Sequence, residues 1–341
     1  MNDSSNQHGV NGHFVLAQLQ GAIQKGFKPE PLLEKAGIDQ SILTQPKQRV
    51  SFDQFASLMR ITWQEMQDES AGYLAQTLKV GSFGMMCHAT ITSPNLRRAL
   101  LRGARCFGLF TDDIQIELLE NGPEAELRLS LNTKADIEGE YFVGSIALIW
   151  IRWASWMIDK KILLSRMNFR AMEPSYDSEY DDVFGCPIYY RQTHSGFVIP
   201  ARYLDMPLAQ NPQSLSAFLA NTPRNLLNHY QKDDSLSGKI RRLLHSQLSQ
   251  QALSQDSLNL EDTAKHLHLT SQTLRRRLRE EGNAFQDIKD SVRKDIARHH
   301  LLRSDASIND IAGLMGFSEA SVFHRAFKKW TGYTPGLYRE M

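Results

Sequence analysis

Residues 311–332 read "IAGLMGFSEASVFHRAFKKWTG", and the second half of this stretch decides the fold. From Val322 onward, Val322, Phe323, Ala326, Phe327 and Trp330 recur at helical spacing. At about 100° per residue they form one apolar stripe. Ser321, His324, Arg325 and Lys328 fall on the opposite stripe. One face is built for a core, and the polar, basic face needs a partner.

Working outward, the same arrangement occurs twice. Leu260, Thr263, Ala264, Leu267 and Leu269 are matched 48 residues later by Ile308, Ile311, Ala312, Met315 and Phe317. A short break follows each set, and then a second helix at an offset of 49. There Leu274 and Leu278 correspond to Phe323 and Phe327, and Arg275, Arg276 and Arg279 to His324, Arg325 and Lys328. An apolar helix, a tight turn and a helix with a basic outer face make the helix-turn-helix pattern, whose second helix enters a major groove. Arg can bond a guanine edge in bidentate fashion, and Gln272 can do the same for adenine. Lys and the remaining Arg supply charge for phosphates.

A single basic helix face is ordinarily solvated surface. Two such faces at equivalent repeat positions point to double-stranded DNA. The segment between them, "AFQDIKDSVRKDIARHHLLRS", places Phe285, Ile288, Val292, Ile296 and Leu301 at roughly helical steps. A helix of that length spans on the order of 30 Å, and one turn of B-DNA is about 34 Å. Both second helices could then reach successive major grooves on one face of the duplex.

At this point the tail resembles the AraC/XylS transcription-regulator signature. The matching residues are Ala297, Leu301–Leu302, Ile308, Ile311, Ala312, Gly316–Phe317, Ser321, Phe323, Arg325, Phe327–Lys328–Lys329, Gly332, Pro335 and Tyr338–Arg339. The first unit departs at Leu269, where the family often has Gly plus an aromatic, so its turn is expected to be less tight. His324 also departs from the family pattern. "GSFGMMCHATITSPNLRRALLRGARCFGLF" and "YDSEYDDVFGCPIYY…YLDMPL" resemble the arabinose-binding-type sensor domain of one branch, among ornithine- and virulence-regulator-like members. That resemblance implies a sensing and dimerising N-terminal part, with a small-molecule effector, a homodimer and RNA polymerase among the candidate partners.

The first two hundred residues carry mixed periods. "FVLAQLQGAIQKGF", "FDQFASLMRITWQEM" and "SPNLRRALLRGARCFGLF" read as helices, with Ser51 and Ser93 as expected caps. "IQIELLE", the turn "NGP" and "AELRLSL" alternate in steps of two, a β-hairpin signal. A helix is expected over 144–161, then short strands at "RMNFRAM" and "GFVIP". "LAQNPQSLSAFLANTPRN" and "QKDDSLSG" read as polar connectors. The expectation is an α+β sensor domain at 1–231, then an all-α domain at 235–341 whose two helix-turn-helix units are joined by a long helix.

Composition agrees with this division. The chain has 39 Lys and Arg against 38 Asp and Glu, yet residues 235–341 hold 17 basic and 12 acidic side chains. A basic tail on an acidic body suits a polyanion partner. Cys87, Cys106 and Cys186 are scattered and odd in number, which argues against a disulfide framework and a zinc site. The start "MNDSSNQHGV" lacks a secretory signal, and the apolar stretch 141–158 contains Arg152 and is short for a span. The expectation is a cytoplasmic protein without cofactor or metal.

An enzyme would need a site, and candidates are thin. Cys87 and His88 are adjacent, so their side chains diverge on either a strand or a helix. The pairs His266/His268 and His299/His300 lack the further ligands a metal needs. Arg152, on an otherwise apolar helix, is the candidate anchor for an effector carboxylate. Its structural alternative is a solvated helix edge or an ion pair within the domain. A protein that binds DNA without an effector is the other function class, but more than two hundred residues precede the DNA-binding part.

Overall fold

A computed structural model describes residues 9–131, 139–173, 180, 183–227, 236–249, 259–304 and 306–339. The chain divides into two compact units, Met1–Phe184 with Ile188–Lys232, and Asp233–Met341 with Gly185–Pro187.

The first unit begins with strand β1 (Val10–Asn11), which pairs antiparallel with β2 (Arg49–Val50). Between them lie α1 (Gly12–Gln24) and α2 (Pro29–Ala36). Helices α3 (Phe52–Met66), α4 (Ser82–Thr90) and α5 (Leu96–Phe110) follow. Ser51 closes a capping box with Gln54, satisfying two backbone N–H groups at the start of α3. Ser93, expected to cap α5, does not. Asn95 does, its side chain accepting from the Arg98 N–H at 3.0 Å, because Pro94 leaves Asn95 as the last extended residue before the helix.

Strands β3 (Ile114–Asn121) and β4 (Glu124–Leu131) form the expected hairpin, with Gly122 supplying φ 63° at the turn. Then come α6 (Gly139–Met157), β5 (Arg166–Asn168), β6 (Ile188–Tyr189) and β7 (Ser195–Pro200). The sheet order is β3-β4-β7-β5-β6, antiparallel except for the β5–β6 pair. Helix α6 packs on β4 and β7 and buries Trp150 and Trp153 completely. It starts earlier than 144 and ends earlier than 161, where Asp159 turns the chain at φ 48°.

The stretch read as a connector holds two helices, α7 (Pro212–Ala220) and α8 (Arg224–Leu227). Asn211 followed by Pro212 is a cap-and-first-turn pair, and Leu215 and Phe218 give α7 a buried face. Phe218 stacks on Trp156 with ring centroids 4.2 Å apart.

Every element of the second unit among the described residues is a helix: α9 (Leu236–Ser249), α10 (Leu260–His266), α11 (Ser271–Glu280), α12 (Phe285–Arg303), α13 (Ile308–Leu314), α14 (Ala320–Thr331) and α15 (Pro335–Arg339). The architecture is thus an α+β domain followed by an all-α domain, as the periods imply. One apolar cluster runs through the second unit. Leu274 and Leu278 enter it from α11, Phe323 and Phe327 from α14, and Ile288, Val292 and Ile296 from α12. Among the described residues no helix is long and apolar enough to cross a membrane.

Candidate DNA interface and a cavity in the first unit

The two helix-turn-helix units are alike in detail. Helices α10 and α13 each have seven residues. Each is capped by a short polar side chain: Asn259 accepts from the Asp262 N–H at 2.7 Å, and Ser307 from the Asp310 N–H at 3.1 Å. Each ends in the same pair of backbone bonds. His268 N donates to Lys265 O at 3.0 Å and Leu269 N to Ala264 O at 2.8 Å; Gly316 N donates to Gly313 O and Phe317 N to Ala312 O, both at 2.9 Å. The first turn is therefore as tight as the second, contrary to expectation. His268 adopts the left-handed conformation that Gly316 adopts in the second unit.

The second helices place the expected residues outward. On α11, Gln272, Arg275, Arg276, Arg277 and Arg279 are exposed while Leu274 and Leu278 are buried. On α14, Ser321, Arg325 and Lys328 are exposed, His324 is half-buried, and Phe323 and Phe327 face the core. Val322, assigned to the apolar stripe, is instead 37% exposed. It lies at one edge of the stripe, about 100° round the helix from the buried Phe323.

Charge is distributed differently on the two faces. Arg276 donates to Glu280 one turn along at 2.7 Å, and the Arg275 guanidinium lies 3.9 Å from Glu261. Arg325 and Lys328 have no hydrogen bond or ion pair from their side chains among the described residues. Ser321 Oγ donates to Glu319 Oε2 at 3.0 Å at the start of α14. Glu280, at i+4 from Arg276, was readable as a helical ion-pair partner from spacing alone.

Helix α12 braces the second turn. The buried Arg293 sets its guanidinium 4.7 Å above the Phe317 ring and donates to Gly316 O at 3.4 Å. Burial lowers the Arg293 pKa from its ordinary value.

The first unit holds a partly open cavity of about 90 Å³. Helix α6 lines it with Phe142, Ser145, Ile146, Ile149 and Trp150, residues at i, i+3, i+4, i+7 and i+8 of one stripe. Gly103 of α5 makes room for the indole, since a Cβ there would lie 2.9 Å from Trp150 Cη2. From α1 comes Gln18, 3% exposed, whose Oε1 accepts from the Tyr141 hydroxyl at 2.6 Å. Glu69 also lines the cavity; its oxygens accept from the Gly81 and Phe83 N–H groups at 2.6 and 2.9 Å, and burial raises its pKa above the ordinary carboxylate value. A neighbouring cavity of about 40 Å³ shares Met59, Tyr141, Ser145, Ile149 and Leu226.

Arg152, the expected effector anchor, lines neither cavity. Gln18, Glu69 and Trp150 do, and sequence spacing carries no signal for a cavity assembled from α1, α6 and the chain after α3. Cys87 is fully buried with its thiol pKa pushed up by burial, while His88 on the next position of α4 is exposed, so the two diverge. No cluster of three metal-ligating side chains occurs among the described residues.

A sheet-bearing unit with a cavity, followed by paired helix-turn-helix units with basic outer helices, is the build of a DNA-binding transcription regulator. The family model "Arabinose-binding domain of AraC transcription regulator, N-term" matches residues 26–208, and a helix-turn-helix domain model matches residues 263–341. This chain belongs to the AraC family of transcription regulators. It is similar to the ornithine utilization regulator of Pseudomonas aeruginosa, at 27% identity over 96% of this chain and 95% of that one. It is also similar to the regulator VqsM of the same organism, at 27% identity over 63% of this chain and 66% of that one. The crystal structure of the regulator CdpR from Pseudomonas aeruginosa aligns over 96% of this chain and 98% of that chain, at 20% identity and a TM-score of 0.35. These relatives are transcription regulators and not enzymes.

Proposed function

We propose that this chain binds promoter DNA sequence-specifically through both helix-turn-helix units, works as a homodimer, and is controlled by a small molecule held in the first unit. The observation that carries the DNA reading is the duplication. Two helices that follow the same turn and bury the same pair of positions expose Gln272, Arg275, Arg276 and Arg279 in one unit, and Ser321, Arg325 and Lys328, with His324 half-buried, in the other. The joining helix, 19 residues long, spans about 28 Å, close to one turn of B-DNA.

The cavity of the first unit supports control by an effector. Ligand binding would shift the population of DNA-binding states only as far as the ligand distinguishes them. The reading is tested by selecting genomic fragments with the full-length protein, then measuring affinity for the best fragment and a scrambled duplex at fixed salt. A preference of about a thousandfold is expected. Equal affinities would favour a DNA-binding protein without operator specificity. Sedimentation of the full chain and of residues 235–341 tests the dimer: the fragment should be monomeric and bind more weakly through lost avidity.

A further inference from the structure

We infer that the outer edge of strand β3 is where two copies of this chain meet, the two edges pairing antiparallel about a two-fold axis at Leu118 to make one continuous sheet. The inference rests on the reading of the protein as a homodimer and supplies the surface for it.

The direction of the backbone groups follows from the bonding across the sheet. Ser165 N, just ahead of β5, donates to Val198 O at 2.7 Å, so the Val198 backbone is turned toward β5. Val198 stands opposite Glu126 of β4, and Pro200, which has no N–H to give, stands opposite Glu124. Glu124 and Glu126 therefore turn their backbone groups to Asn121 and Leu119, their partners in the hairpin. Bonding alternates along an antiparallel strand, so Ile116, Leu118 and Glu120 point their N–H and C=O groups off the sheet. Strand β3 is the end strand, and no hydrogen bond joins those groups to another element among the described residues. Unpaired backbone groups belong in water, and the side chains agree. Gln115, Glu117 and Glu120 are exposed, and Ile116, Leu118 and Leu119 are only half-buried.

Native sheets usually blunt such an edge by shortness, Pro, Lys or a bulge. Strand β6, at the opposite edge, has two residues. Strand β3 has eight, paired one-to-one with β4, and contains neither Pro nor Lys. An edge of this build takes a further strand through main-chain hydrogen bonds.

Charge and length fit a second β3 to it. A two-fold axis normal to the sheet must pass through a residue position, or side chains of opposite faces would meet. Centring on Glu117 or Glu120 sets identical carboxylates opposite one another, which is unfavourable. Centring on Leu118 avoids this and pairs residues 115–121 of both copies, the longest overlap that remains. Gln115 then meets Asn121, Ile116 meets Glu120, Glu117 meets Leu119, and Leu118 meets its own copy in a hydrogen-bonded pair. The two Glu117 side chains fall on the diagonal. Glu120 is already offset by Arg97, which also pairs with Asp205 at 2.7 Å.

The test uses the full-length chain, with sedimentation for the dimer and thiol oxidation for the axis. Leu118→Pro removes an N–H that β4 does not use, and so removes both bonds at the axis; an edge strand tolerates Pro at such a position. It should weaken the dimer at least about tenfold with far-UV circular dichroism unchanged. Leu118→Cys places two thiols on a pair whose Cα atoms are about 5.5 Å apart, the usual disulfide spacing. Cys87 and Cys186 are buried, so Cys106→Ser is the one background change needed. Oxidation should then link most Leu118→Cys chains into covalent dimers and leave Ile23→Cys, 47% exposed on α1, unlinked. A folded Leu118→Pro chain that dimerises as tightly as the unaltered one overturns the inference. If Leu118→Pro fails to fold, the thiol result decides: linked Leu118→Cys chains uphold the edge, and linkage no greater than Ile23→Cys overturns it. A stable dimer insensitive to both changes leaves the homodimer standing and moves its interface elsewhere. A full-length chain that stays monomeric at tens of micromolar overturns the homodimer and the edge together.

Discussion

His268 and Gly316 hold the same left-handed backbone position, 48 residues apart, at φ 54° and 72°. Each lets its turn place two N–H groups on carbonyls of the preceding helix. Glycine adopts this conformation without steric cost, whereas a side chain pays about 1–2 kcal/mol in contact with its own backbone. His268 is exposed, so little packing offsets that strain.

His268→Gly should therefore stabilise the second unit by about 0.5–1 kcal/mol, the relieved strain less the added freedom of the unfolded chain. Gly316→Ala should destabilise it by about 1 kcal/mol or more. Thermal unfolding of both variants checks the pair. A destabilised His268→Gly would show that the imidazole makes a contact worth more than the strain.

The outer face of α11 should respond to its own carboxylate. Glu280 holds Arg276 at 2.7 Å, which competes with any phosphate or base edge. Glu280→Gln frees the guanidinium and removes a negative charge from beside DNA. Affinity should rise roughly twofold to fivefold at low salt, with a steeper salt dependence. An unchanged salt slope would mean that Arg276 stays off the duplex.

The second unit should lose stability in acid. Burial, then the charges of His299 and Arg241, hold the His245 imidazole down at about pKa 4, against an ordinary 6.5. The unfolded chain takes up this proton as pH falls past 6.5, whereas the folded chain waits until about 4. The contribution is complete above pH 6.5 and shrinks through that window, by at most about 3 kcal/mol. Burial lowers the His300 pKa too, which adds loss in the same direction. Hydrogen exchange at α9 amides, corrected for intrinsic rates, reads the slope. His245→Leu should flatten it, and an equal slope in the variant would assign the loss elsewhere.

What the sequence made legible was periodic. The hairpin, helix α3 and both helix-turn-helix units follow from spacing because each element repeats its own apolar period over a full face. The cap at Asn95 and helix α7 were missed because a competing signal, Ser93 before Pro94 and a polar run around Asn211, stood one step from the true one. The outward side chains of the two second helices, proposed to face DNA, could be listed from the repeat, since a helix fixes which residues share a face. Gln18 and Trp150 lie 132 positions apart, and only tertiary packing brings them to one cavity. Arg152 drew attention as a charge on an apolar helix, yet helix α6 lines the cavity with the stripe from Phe142 to Trp150 and leaves Arg152 outside it.

Arg325 and Lys328 should divide base reading from phosphate charge. Arg325 projects from the middle of α14, six residues past its Glu319 cap, without an ion pair among the described residues. There a guanidinium can address a base edge, and a good bidentate pair is worth roughly 1–3 kcal/mol of discrimination. Lys328 lies about one turn further on, where a helix crossing the major groove is leaving it and passing phosphate. Arg325→Ala should thus weaken the selected operator about tenfold or more and a scrambled duplex far less. Lys328→Ala should weaken both about equally and reduce the salt slope by about one unit. Fluorescence anisotropy with both duplexes over a salt series makes the comparison. If Arg325→Ala lowers the two affinities by the same factor, the guanidinium is a phosphate clamp, and specificity must come from Gln272, His324 or the shape of the duplex.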